Sequence, residues 1–326
     1  MAFIEAASQA VENKVPGTAT TSFSGLDVRN VLFATDFSPI SEAALPYAAG
    51  ICRRLGSTLH LAHVLSDTGL LMMSGGIDYV SMGTIYEDTH SEAEEKLEQI
   101  AVRIGEMPHR CYVRRGQVWK NLAKIIHTNE IDLIVVGTHG RGGFSKLLVG
   151  SVAEDILRHA PCPVLTVGPQ VCGRARLPAF HQSHRDVAPL DLEMREILFA
   201  TNFSPNADRA ARAAVRLAEE FCAHLTLLNV MEDYSDLGSR PGPMEDGLRC
   251  LKELIPTDAA LQYMPERVLE FGSAGENILR IAAQREADLI VLGARRSSEI
   301  GGTHLPWSTT HHVLARAHCP VLTVRD

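Results

Sequence analysis

Gly137-Thr138-His139-Gly140-Arg141-Gly142-Gly143, running on through Phe144 and Leu148 to Gly150-Ser151, joins two stretches of regular character. Before it, Ile131 to Val136 is a short β-branched apolar run of the kind that forms a strand buried on both faces. Behind it, Val152 to His159 places apolar residues at 152, 153, 156 and 157, the spacing of an amphipathic helix. Glycine tolerates positive φ and lets a ligand approach the main chain, because no Cβ intervenes. Ser151 stands where that helix would start. A serine there can cap, and the free amides of a first turn attract anions. Strand, glycine loop and helix read as a parallel α/β unit with a candidate phosphate cradle at its turn.

Two common phosphate-binding patterns fail on residue identity. A P-loop counted from Gly140 needs glycine and lysine at 145 and 146 followed by Ser or Thr, whereas the chain carries Ser145, Lys146 and Leu147. The dinucleotide pattern fails because Gly140 and Gly142 are followed by Ser145 where a third glycine belongs. The stretch does fit glycine, two residues, glycine, nine residues, glycine, serine, at Gly137, Gly140, Gly150 and Ser151. That pattern resembles the ATP-binding signature of the universal stress protein family. The resemblance covers residues 29–168 and, more weakly, 195–326.

Composition sets the surroundings of this motif. At 326 residues the length prior is two domains, and 45% hydrophobic with 21% charged residues is ordinary for a soluble globular chain. A net charge of −8 argues against a nucleic-acid or anionic-membrane surface. An acidic chain that binds phosphate must concentrate its donors, and His139, Arg141 and Lys146 are candidates. Seven cysteines without a CxxC suggest neither a disulfide framework nor a zinc ribbon. Cys162 and Cys319 fall in matching Cys-Pro-Val-Leu-Thr-Val segments and read as small buried apolar residues. No secretory signal opens the chain and no apolar run reaches the ~18 residues of a membrane span, so a cytoplasmic location is expected.

The chain repeats itself. Arg29 to Pro39 recurs as Arg195 to Pro205 at an offset of 166, which holds to Val64 and Val230. Gly116 to Gly137 matches Gly272 to Gly293 at an offset of 156, and the closing Cys-Pro-Val-Leu-Thr-Val segments lie 157 apart. The period is too long for a solenoid, so each copy is a domain. The expected division is a tail over 1–28, a first domain over 29–168, a linker over 169–193 and a second domain over 194–326. Within the tail the pattern allows a short helix over Phe3 to Val11.

In the first domain the patterns predict strand 29–35, helix 39–55, strand 57–64, an irregular segment 66–88, helix 89–104, strand 109–114, helix 117–129, strand 131–137, helix 151–160 and strand 163–167. Alternating strands and helices mean a doubly wound parallel sheet, Rossmann-like, with helices on both faces. The family resemblance implies strand order 3-2-1-4-5 in each of two five-stranded sheets. It also implies an internal pseudo-dimer whose last strands pair, so that 163–167 would lie near 320–324. A further homodimer is conceivable.

Ligands of such sheets collect beyond the carboxyl ends of the strands, where the order reverses, here between strands one and four. Strand one ends at Ala34-Thr35-Asp36 and strand four at Gly137. Asp36 can accept from a ribose hydroxyl or help to hold Mg²⁺, and it can equally serve the amino end of the helix behind Ser38. The resemblance implies an adenine nucleotide (ATP, or AMP or ADP) with Ala34 and Asp36 at the first strand end. Val64 would meet the base through its main chain. The loop Gly137, Thr138, His139, Gly140, Arg141, Gly142 and Gly143 would wrap the phosphates, and Gly150, Ser151 and Val152 would donate at the helix start. The implied role is a regulatory module of stress response acting on a protein partner not identified by sequence. Two alternatives remain: a slow Mg-dependent ATPase and a nucleotide-free interaction scaffold.

The second copy departs from the pattern. Asn202 replaces Asp36, Arg296 stands where Gly140 does, and Trp307 takes the place of Gly150 with one residue inserted. Its site is expected to be empty, with Arg295 and Arg296 leaving room for a different anion. Ser74-Gly75-Gly76-Ile77-Asp78 resembles the loop of ATP pyrophosphatases but follows strand two rather than strand one. Beside Leu70, Leu71, Met72 and Met73 it reads more simply as part of a lid or interaction loop. His304, His311, His312 and His318 cluster in sequence, yet adjacent histidines face different sides of a helix, so packed or solvated histidines outrank a zinc site.

Overall fold

A computed structural model describes residues 27–66, 79–138, 149–171, 192–204, 207–232, 242–294 and 308–325. Strand β1 (Asn30–Ala34) shows why the chain forms a two-faced layer. Val31 and Phe33 enter one buried cluster, Leu32 and Ala34 the other. Helix α1 (Pro39–Leu55) follows at once. Ser38 caps it, its hydroxyl accepting from Ser41 N at 3.2 Å, and Gly56 ends it in the left-handed region at φ 69.

The first half continues with β2 (Thr58–Leu65), α2 (Tyr79–Ile104), β3 (His109–Arg115), α3 (Val118–Thr128), β4 (Leu133–Gly137), α4 (Ser151–His159) and β5 (Val164–Val167). The second half repeats the series as β6 (Glu196–Thr201), α5 (Ala207–Phe221), β7 (His224–Met231), α6 (Pro243–Glu253), β8 (Glu266–Phe271), α7 (Ala274–Gln284), β9 (Leu289–Gly293), α8 (Ser308–Arg316) and β10 (Val321–Val324). Helices α1, α2, α5 and α6 supply one buried cluster and α3, α4, α7 and α8 the other, so both faces of the sheet are covered.

Within each half the order is the expected 3-2-1-4-5, all parallel. The two sheets are one. β5 pairs antiparallel with β10, Leu165 opposite Leu322, giving a ten-stranded sheet in the order β3-β2-β1-β4-β5-β10-β9-β6-β7-β8. Thr166 adds a side-chain bond across the seam, its hydroxyl donating to Val321 O at 3.1 Å. The internal pairing of last strands therefore exists as a structural feature of this chain.

One difference concerns α2. It begins at Tyr79, ten residues before the expected start at 89. In its later part Ala93, Leu97, Ile100 and Ile104 form a buried stripe at helical spacing, the signal on which the expected helix rests. The SGGID motif, residues 1–26 of the tail, most of the linker, His304 and Trp307 lie outside the described residues.

The amino ends of the strands are closed by an aspartate in each half. Asp132 Oδ2 accepts from Arg29 N and Asn30 N, both at 2.9 Å. Asp288 Oδ2 does the same for Arg195 N at 2.7 Å and Glu196 N at 3.1 Å. Cys162 and Cys319 are buried as expected, and burial pushes the Cys162 thiol up to about 12.

Candidate functional site

At the opposite, carboxyl ends of the strands, β1 and β4 lie side by side with Ala34 paired to Val136. The order reverses here, the place where open parallel sheets take their ligands. The turn out of β1 is tied at every residue. Thr35 Oγ1 accepts from Phe37 N at 2.9 Å, and Asp36 Oδ1 accepts from Ser38 N at 3.0 Å. Phe37 is thereby held at φ 60, a left-handed conformation that costs a bulky residue about 1 kcal/mol or more. Its ring lies 4.4 Å from that of His63 and 5.5 Å from Lys96 Nζ. His63 Nδ1 donates to Thr35 O at 2.8 Å, crossing from β2 to close the turn from the side.

Asp36 thus takes the local role open to it, serving an amide ahead of α1. A carboxylate offers about four acceptor positions, and Ser38 N takes one of them. Ala34 and Val64 sit at the ends of their strands, Ala34 buried and Val64 half-buried.

The other wall is built from β4 and α4. Gly137 is the last residue of β4, and Thr138 N donates to Val167 O at 2.9 Å. A Cβ on Gly137 would stand 3.0 Å from Ser41 N and 3.1 Å from Ile40 C and Ser41 Cα. The close approach of α1 therefore favours glycine here, a reason the sequence did not reveal. Thr138 O accepts from Gly150 N at 2.6 Å, which pins the start of α4 to the end of β4.

One reading at α4 is corrected. Gly150, not Ser151, is the cap residue, and no side chain caps the helix. Ser151 is the first helical residue and is exposed. Of the four apolar positions in the helical pattern, Val152 is 39% exposed, while Ala153, Ile156 and Leu157 are buried. Burial in this helix thus begins at Ala153. The first intrahelical bond is Glu154 N to Gly150 O at 2.9 Å, so the amides of Ser151, Val152 and Ala153 stand ahead of the ladder. Gly150 has φ −63 and ψ 150, open to any residue. His139, Gly140, Arg141, Gly142 and Gly143 lie outside the described residues, as do Lys146, Arg295 and Arg296.

The crevice of the second half repeats the frame and changes the chemistry. Thr201 Oγ1 accepts from Phe203 N at 3.0 Å, Phe203 has φ 54, and Asn202 Oδ1 accepts from Ser204 N at 3.1 Å. Asn229 takes the place of His63, its amide donating to Thr201 O at 2.9 Å. The turn is the same and the carboxylate is gone. Of the histidine cluster, His312 packs against α7, where a Cβ on Gly275 would stand 2.9 Å from its ring, and it receives a bond from Arg316 Nη1 at 2.7 Å. Among the described residues no group of three or more His, Cys, Asp or Glu side chains could hold a metal ion.

The family model described as "Universal stress protein family" matches residues 27–168 and again 193–325. The chain belongs to the universal stress protein family. It carries two copies of the family domain in tandem. Among curated relatives, this universal stress protein is similar to universal stress protein A homolog 1 of Coxiella burnetii, 34% identical over 140 residues, 43% of this chain and 95% of the relative. It is also similar to a universal stress protein of Methanocaldococcus jannaschii, 25% identical over 139 residues, 43% of this chain and 81% of the relative. Among solved structures, a universal stress protein from Archaeoglobus fulgidus aligns with TM-score 0.65 and 20% identity over 91% of this chain and 98% of that one. That likeness shows a shared two-copy fold. No helix among the described residues is long and apolar enough to cross a membrane.

Proposed function

We propose that the first half of this universal stress protein binds one adenine nucleotide, ATP foremost, and that occupancy regulates what the whole surface presents to a protein partner. The observation that carries this is the meeting of unlike parts at one reversal of strand order. Asp36 stands at the end of β1, and Thr138 O holds the glycine start of α4 at the end of β4. Three amides ahead of the α4 ladder suit a phosphate, each such charge-assisted bond being worth about 1.5–3 kcal/mol. Asp36 would take the ribose, Val64 the base through its main chain, and residues 137–143 the phosphates. A Mg²⁺ ion would arrive with the nucleotide, since Asp36 is a single carboxylate and the phosphate oxygens must supply the rest of its shell.

Support for an empty second half comes from Asn202, which keeps the turn but cannot offer a charge. The working division remains a tail over 1–28, domains over 29–168 and 194–326, and a linker over 169–193.

The test is equilibrium binding of labelled ATP to the full-length protein after removal of co-purified ligand. One saturable site per chain is expected, weakened about tenfold by Asp36→Asn, a change that retains the bond to Ser38 N while removing a charged acceptor. Absence of saturable binding, or equal affinity in the variant, would overturn the assignment of the site.

A further inference from the structure

The last turn of α4 is closed from the other half of the molecule. Two of its carbonyls are satisfied locally, Asp155 O by His159 Nδ1 at 2.9 Å and Ile156 O by Ala160 N at 2.8 Å. The His159 ring also lies 5.5 Å from that of Trp119 on α3. The next carbonyl, Leu157 O, accepts from Nη1 of Arg325 at 2.5 Å, and Arg325 follows directly on β10 of the second half. Arg325 is 4% exposed. Its cation therefore meets the negative end of the helix dipole away from water, where a charge-assisted bond is strongest.

The related position on the other side of the seam has no such bond to make. Gly168 follows β5 as Arg325 follows β10, and it brings no side chain. A Cβ built on it would stand 3.4 Å from Leu314 O, the carbonyl that corresponds to Leu157 O. The seam is thus symmetric in its strands and asymmetric in this contact. The helix that is tied is α4, beside the crevice that retains Asp36. The helix that is not tied in this way is α8, beside the crevice that has Asn202.

The main chain next to Arg325 belongs to the second crevice. Val324 O accepts from Ala294 N at 2.8 Å, and Ala294 corresponds to Thr138 of the first half. One residue therefore touches both places: its backbone neighbour the mouth of the second crevice, its guanidinium the helix that walls the first.

We propose that Arg325 is a positioning residue for the nucleotide site of the first half, and that it couples that site to the second half of the chain. This rests on the nucleotide assignment above. Helix α4 has nine residues, a length of about 13 Å at 1.5 Å per residue, and is short enough to turn as a rigid unit, so release of its last turn changes the direction in which its first-turn amides point. Hydrogen bonds weaken steeply with angle, so the amides of Ser151 and Val152 are useful to a phosphate only while the helix keeps its direction. Gly150 N on Thr138 O fixes one end of α4, and Arg325 on Leu157 O fixes the other.

The experiment compares full-length wild type with Arg325→Met and Arg325→Lys, reading two quantities: hydrogen exchange of the amides of 151–160, and equilibrium ATP binding. In Arg325→Met, exchange across α4 is expected to accelerate and ATP affinity to fall, each about tenfold, a fraction of what one buried charge-assisted bond supports. Arg325→Lys retains a charged donor and is expected to recover part of both. Should the Met variant fail to fold, the Lys variant alone carries both readings, with smaller changes in the same direction. Unchanged exchange would overturn the anchor. Faster exchange with unchanged ATP affinity would overturn the coupling. If wild type itself binds no ATP, the nucleotide assignment fails and the coupling to it with that assignment, while the exchange rates still decide whether Arg325 anchors α4.

Discussion

The imidazole of His63 donates from Nδ1 to the main-chain oxygen of Thr35 across 2.8 Å, and Asn229 makes the same bond to Thr201 O at 2.9 Å in the second half. Thr35 is buried, so its carbonyl has no easy recourse to water. The two halves solve one problem with two side chains that share only a donor at the right reach.

The interchange can be tested directly. His63→Asn is expected to leave stability within about 0.5 kcal/mol of wild type, because the donor survives. His63→Leu strands the carbonyl and is expected to cost about 1–3 kcal/mol. Urea unfolding of the three proteins checks both, and equal losses in Asn and Leu would show that the ring contact with Phe37, not the bond, matters.

Two glycines of one motif are expected to behave oppositely. Gly137→Ala drives a Cβ onto the backbone of Ile40 and Ser41, 3.0–3.1 Å away, and is expected to destabilise by about 1–3 kcal/mol. Gly150→Trp, which copies the second half, meets no backbone restriction at φ −63 and ψ 150. It is expected to keep the fold and abolish ATP binding. Thermal unfolding with a binding titration separates the two, and retained ATP affinity in Gly150→Trp would mean the phosphates lie elsewhere.

His60 supplies a pH dependence. It is 1% exposed, between Tyr112 OH at 3.1 Å and Asn30 Oδ1 at 3.2 Å, and burial, aided by the Arg110 charge, lowers its pKa to about 4 from 6.5. Below 6.5 the unfolded chain takes up a proton that the folded chain refuses until about 4, so this group makes stability fall as pH drops through that window and leaves it level above. Urea midpoints at pH 5 and pH 7 are expected to differ less in His60→Gln than in wild type. An undiminished difference would assign the acid sensitivity to other groups.

The parallel strands and most helices were legible because their signal is local. Val31 to Ala34 and Leu133 to Val136 declare themselves by apolar content alone, and the repeat confirmed each twice. What escaped were duties that join residues far apart in the chain. Asp132 serves amides at 29 and 30, and Gly137 makes room for α1. Neither partnership leaves a mark at fixed spacing. At the site, Asp36 and the Gly150 start were placed by motif. The cap was assigned one residue late, at Ser151, because a hydroxyl residue attracts that reading where glycine does the work. The left-handed Phe37 had no signal beyond its recurrence as Phe203.

The antiparallel seam of β5 and β10 places two descendants of one module on a single polypeptide. An assembly of identical subunits must accept every mutation twice, at both related places. Here Asn202 could arise opposite Asp36, and Arg325 opposite Gly168, without a matching change across the axis. Covalent linkage also removes dilution as a threat to the pair, so each half can change its residues while the seam between them is kept.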